Sequence, residues 1–174
     1  MGLVFEASSD DDLLPADELK IFYCSRTHSQ LTQFVQELRR VNFPGPSWAE
    51  KETISSITDS EGKIQIKHLP LGSRKNLCIN PKVSNLGSAQ SINERCLELQ
   101  QPETPKDQKC PLLPSGETEL LVNEFRDYTL ANIRDIEDLG SLGKKIGICP
   151  YYASRPTIKP VEVYHVEVIG VHLG

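Results

Sequence analysis

Apolar residues fall into distinct rhythms along the chain, and each rhythm predicts an element. Residues 19–24, LKIFYC, form a short unbroken apolar and aromatic run, the pattern of a buried strand. The run stops at SRTHSQ, after which Leu31, Phe34, Val35 and Leu38 recur at i, i+3, i+4 and i+7. With Thr27 and Gln30 at capping-box spacing, this predicts a helix over 27–40, giving the strand, tight turn and helix of an α/β unit. Residues 42–62 mix Pro, Gly, Ser and charge as a loop does, while KIQIKHL (63–69) alternates as the next strand should. From Ser88 onward Ala89, Ile92, Cys96 and Leu99 share one helical face, which turns Cys96 inward. A Pro-rich linker, QQPETPKDQKCPLLPSGE, surrounds Cys110. Helices are predicted over 117–133, with Leu121, Phe125 and Tyr128 on one side, and over 135–142. The closing VEVYHVEVIGVHLG is β-prone, with its alternation changing phase near His165.

Composition sets the scale of this pattern. At 174 residues and 38% hydrophobic the chain suits one modest domain, and 12 prolines with 11 glycines leave much of it irregular. It contains no apolar run near the ~18 residues of a membrane span. The acid-rich MGLVFEASSDDDLLPADE lacks the basic start of a secretory signal, so an intracellular protein with no membrane partner is expected. Residues 7–17 read as an acidic, poorly ordered lead-in. Five cysteines in a reducing compartment suit free thiols or metal ligands better than disulfides, and four acting together leave one spare. A net charge of -5 argues against a simple basic nucleic-acid binder, but the charge is uneven. Residues 62–93 hold five Lys or Arg and no acid, residues 139–161 hold four and no acid, and each segment includes a cysteine.

Two constellations carry candidate chemistry. In YCSRTHSQL a helix N-terminus presents free N–H groups, and Arg26 just before it adds a fork that matches a phosphate. A plain capped helix with a solvated arginine explains the same spacing and is favoured on spacing alone. Cys24 and His28 as nucleophile and base lack an orienting third group, and a cysteine closing a buried strand is usually core. The second constellation is Cys78, Cys96, Cys110 and Cys149, separated by 17, 13 and 38 residues. None of these gaps is the short step with which zinc modules build half a tetrahedron, so zinc is disfavoured. Cys110-Pro111 and Cys149-Pro150 are Cys-Pro pairs, which also occur in iron-sulfur ligand motifs. Spacing alone favours four unrelated thiols, because cysteine gaps this wide have almost no specificity.

Context separates these readings. YCSRTHSQLTQFVQEL, LGSRKNLCIN, NERCLELQ and LGKKIGICPYYASR, in this order, closely resemble the XPD-like iron-sulfur DNA helicases, and most nearly their chromosome-loss, sister-chromatid cohesion branch. The resemblance covers about residues 18–155. It implies an α/β fold: part of a RecA-like motor domain (18–70) with an inserted, mainly helical iron-sulfur domain (71–155), between the lead-in (1–17) and a divergent tail (156–174). It implies that Arg26, Thr27 and His28 belong to helicase motif Ia and touch single-stranded DNA. It further implies that Cys78, Cys96, Cys110 and Cys149 bind a 4Fe-4S cluster, with Arg74 and Lys75 as basic neighbours of cluster and strand and Cys24 as the spare. The implied activity is ATP-dependent 5'-3' unwinding of single-stranded or forked DNA in the nucleus, alongside replication or cohesion proteins, with ATP and Mg2+ used by the full-length helicase. The sequence departs from the family in lacking a Walker A loop, G-x-x-x-x-G-K-[ST], and a DEAH box. LGSLGKKIG fails as a phosphate loop because only two residues separate Gly140 from Gly143 and Lys145 stands where Ser or Thr is needed. The chain is therefore expected to be a helicase fragment, inactive alone. The alternatives are a zinc-binding structural module and an inactive truncated product.

Overall fold

A computed structural model describes residues 20–25, 27–41 and 66–167. The acidic lead-in, the loop over 42–62 and Arg26 lie outside the described residues. LKIFYC forms strand β1, Ile21–Ser25, but not the buried strand expected: Ile21, Phe22, Tyr23 and Cys24 are exposed and Ser25 alone is buried, because β1 is an edge strand of the described sheet, paired with one neighbour. The periodic stretch after it forms helix α1, His28–Arg40. Leu31 and Val35 bury the face their spacing assigns them. The expected capping box is absent: Thr27 is the N-cap without a side-chain cap bond, because the Gln30 side chain instead accepts from the Ser25 hydroxyl.

Strand β2, His68–Leu71, takes in the end of KIQIKHL, whose residues 63–65 lie outside the described residues. His68, Leu69 and Pro70 are all buried, so the strand is covered on both faces rather than alternating. Strand β3, Val163–Glu167, comes from the expected tail and lies between the other two in parallel, Val163 facing both Ile21 and His68. β2 is thus an edge strand within this sheet, where Pro70 costs no central ladder bond.

Between β2 and β3 the chain is helical: α2 Arg74–Leu77, α3 Pro81–Ser84, α4 Ala89–Glu98, a 3-10 turn Gly116–Thr118, α5 Glu119–Leu130, α6 Ile136–Ile146 and α7 Pro150–Thr157. α4 buries Ile92 and half-buries Cys96 on its predicted face, with Leu99 buried just past its end, while Ala89 is exposed; Ser88 Oγ accepts from the Ser91 N–H at 3.0 Å. α5 is shorter than predicted and turns Tyr128 outward, where Lys145 Nζ lies 5.7 Å from its ring; Thr129 is buried instead. α6 is longer than predicted, opened by a reciprocal Asp135–Asp138 capping box and closed by Gly147 in the left-handed region at φ 85. The larger core packs Leu69, Leu77, Phe125, Leu139, Ile148 and Val161 around the helices and sheet. The smaller core consists of Val83, Ile92 and Leu99, with Cys78, Cys96 and Cys110 packed on it. Among the described residues no helix is long and apolar enough to cross a membrane.

Candidate cysteine site and adjacent cleft

Each site cysteine is delivered by a different local device. Cys78 closes the single turn α2, its N–H donating to Arg74 O at 2.8 Å. Cys96 lies on α4 four residues after Ile92, so burying Ile92 brings Cys96 to the same small core. Cys110 sits in the turn-rich, Pro-rich segment. Cys149 N–H donates to Leu112 O at 2.7 Å, which ties the start of α7 to the Cys110 segment. Burial pushes the Cys149 thiol up to about 11, against the Tyr152 and Tyr151 backbone amides, while the nearby Cys110 and Cys78 add to the rise. Burial likewise raises Cys78, partly offset by the Asn80 backbone and reinforced by Cys96 and Cys110. Cys78, Cys96 and Cys110 thus pack on one small core, and Cys149 is tied to the Cys110 segment through Leu112. Cys24, exposed on β1, stands apart.

The surroundings of the sulfurs are polar donors. Asn80 Nδ2 lies 3.3 Å from Cys110 Sγ and Gln100 Nε2 lies 3.3 Å from Cys96 Sγ. Arg74 stacks 4.5 Å from the Tyr151 ring centroid and donates to Tyr152 Oη at 2.9 Å. Burial opposes its charge, yet the Tyr152 hydrogen bond, both phenol rings and Cys96 outweigh burial and raise its pKa. Arg74 Nε is buried without a hydrogen-bond partner among the described residues. Arg155 lies against the same ring pair, 5.1 and 5.4 Å from the two centroids. Lys75 is exposed beside Arg74.

Four thiols with two amide donors and a half-buried guanidinium form a donor set of the kind that fits a thiolate-bound cluster, whose negative charge such groups offset. Among the described residues no group of three or more His, Cys, Asp or Glu is placed to hold one metal ion.

His28 and Cys78 line one cleft. His28 begins α1, and its Nε2 lies 2.7 Å from Glu137 Oε1 on α6. Arg39 near the other end of α1 donates to Asp138 Oδ2 at 2.7 Å and to Ile133 O at 2.9 Å, so α1 is fastened to α6 at both ends. A cleft of about 540 Å³ lies between them, lined by His28, Asn76, Cys78, Glu137 and Lys144. It joins the first turn of α1 to the flank of the cysteine site. Thr27 is exposed at the same helix end. Sequence reasoning missed Asn80, Gln100, Tyr151, Tyr152 and Glu137; Gln100, at i+4 from Cys96, was the one with a positional signal.

A parallel sheet carrying a strand, turn and helix, with a long helical excursion before its middle strand, is a helicase-type α/β arrangement, and the chain belongs to the DEAD_2 family, whose model matches residues 23–166. The relatives it resembles are fungal CHL1 proteins, the branch expected from its motifs. The chain is 59% identical over 160 residues to the ATP-dependent DNA helicase chl1 of Neosartorya fischeri, covering 91% of this chain and 18% of that protein. It is 58% identical over 159 residues to the Aspergillus fumigatus chl1, covering 91% and 20%. With the Neurospora crassa chl1 it shares 54% over 147 residues, covering 84% and 13%. The chain therefore spans about a fifth or less of the length of these relatives.

Proposed function

We propose that this chain is the part of an ATP-dependent 5'-3' DNA helicase that carries the motif Ia strand contact and a 4Fe-4S insertion used in duplex unwinding, acting in the nucleus. What supports it most is that Cys78, Cys96 and Cys110, from separate elements, pack on one small core and that Cys149 is tied to the Cys110 segment, with Asn80 and Gln100 donating to sulfur and Arg74 held charged beside Cys96. The cluster, when bound, supplies a rigid cross-link with thiolate-bound iron. The chain's own residues do the rest. Amide and guanidinium groups balance thiolate charge, Tyr151 and Tyr152 hold Arg74 in place, and the acid-free flanks of Cys78 and Cys149 guide a strand by its phosphates. His28, Thr27 and Arg26 at the start of α1 supply a contact blind to base identity.

The test is a set of Cys→Ser variants in a complete helicase containing this segment, purified without oxygen. Substituting Cys78, Cys96, Cys110 or Cys149 should each strip iron, and Cys24→Ser should retain it. Stoichiometric zinc in place of iron in the parent, or equal iron loss from all five variants, would replace the cluster assignment.

A further inference from the structure

The glycines of LGSLGKKIG, which do not make a phosphate loop, have another use. We propose that Gly143 is a positioning residue for Cys149: the absence of a side chain at Gly143 sets where the fourth thiol stands. This rests on reading Cys149 as a cluster ligand.

The geometry is specific to that one glycine. After Ile146 the chain reverses through Gly147, and the N–H groups of Gly147 and Ile148 both donate to Gly143 O, at 2.8 and 3.1 Å. The chain thus folds back directly over Gly143. A Cβ there would meet Pro150 Cδ at 2.7 Å, Ile148 O at 2.8 Å and Pro150 Cγ at 3.0 Å. These are ring and backbone atoms, which cannot swing aside as the end of a flexible side chain can. Ile148 and Pro150 flank Cys149 on either side, so whatever moves them moves the thiol. Cys149 has little freedom to compensate, because its N–H is bound to Leu112 O at 2.7 Å and Ile148 is fully buried in the larger core.

Gly140, one turn earlier on the same helix, is the natural control: a Cβ there meets nothing within 4 Å. Alanine is the better helix former, so Gly→Ala at an open position favours the helix. The two substitutions are chemically identical and differ in what the new methyl meets.

The experiment uses a complete helicase containing this segment, with iron per protein, visible cluster absorption and the rate of iron release to a chelator measured for the parent, Gly140→Ala, Gly143→Ala and Gly143→Ala/Pro150→Ala. Gly140→Ala should match the parent. Gly143→Ala should release iron about tenfold faster or more, the scale seen when a group supporting a metal ligand is lost, while far-UV circular dichroism stays near the parent's. Removing the Pro150 ring should restore part of the iron, with the remaining deficit due to Ile148 O. Parent-like iron retention in Gly143→Ala, or equal loss in Gly140→Ala, overturns the proposal. Should Gly143→Ala prove insoluble, a soluble, iron-bearing double variant supports it and an equally insoluble one overturns it. If the parent itself holds no iron, the cluster reading fails, and the positioning claim is decided by alkylation of Cys149: faster in Gly143→Ala supports it, unchanged overturns it.

Discussion

His28 and Glu137 meet at 2.7 Å with side chains 42% and 64% exposed, so an anion arriving at His28 has to displace a carboxylate that water already screens. Exposed pairs of this kind are weak, and releasing His28 by Glu137→Gln should tighten single-strand binding by about two- to fivefold. Fluorescence anisotropy on a helicase containing this segment would measure it. The gain should vanish in a His28→Ala background; a gain that persists there would mean only that a negative charge had been removed from the surface. At this scale the site was half legible in the sequence. The cysteines announce themselves by type and by the motifs around them, but Glu137 and Asn80 are 109 and 30 residues from the atoms they touch. No local spacing encodes such partners, because the fold brings them together.

Elements were legible where one face alternates with another and illegible where they barely exceed one helical period. α1 and α4 follow their apolar spacing, whereas α2 and α3, four residues each, are too short to show one. β2 misleads because burial on both faces erases the alternation of a half-exposed strand. α5 shows how such a face is divided in practice: Phe125 is fully buried while Leu120 is 81% exposed. Phe125→Ala should destabilise the fold by about 3–5 kcal/mol. Leu120→Ala should change stability by no more than about 0.5 kcal/mol. Denaturant midpoints of the two variants check the difference, and similar shifts would show that α5 packs by another face.

For the whole molecule, the relevant fact is how little of its relatives' length this chain spans, 18% of one and 20% of another. Its 174 residues contain neither a Walker A loop nor a DEAH box, so phosphate and magnesium have no matching residues here. The isolated chain should show no DNA-stimulated ATP hydrolysis. Turnover above a buffer blank that co-purifies with it through two columns would overturn this. The arrangement of the sheet has a further consequence, for the order of events during synthesis. Its central strand, β3, is the last of the three to leave the ribosome, so β1 and β2 wait without their shared neighbour while every site cysteine emerges. Parallel pairing across so long an excursion is slow, since loop closure precedes its reward. If the proposed cluster bridges Cys78 to Cys149 while the nascent chain is still open, it shortens the loop that β3 has to close, and the proposal then makes iron delivery a kinetic aid to sheet formation.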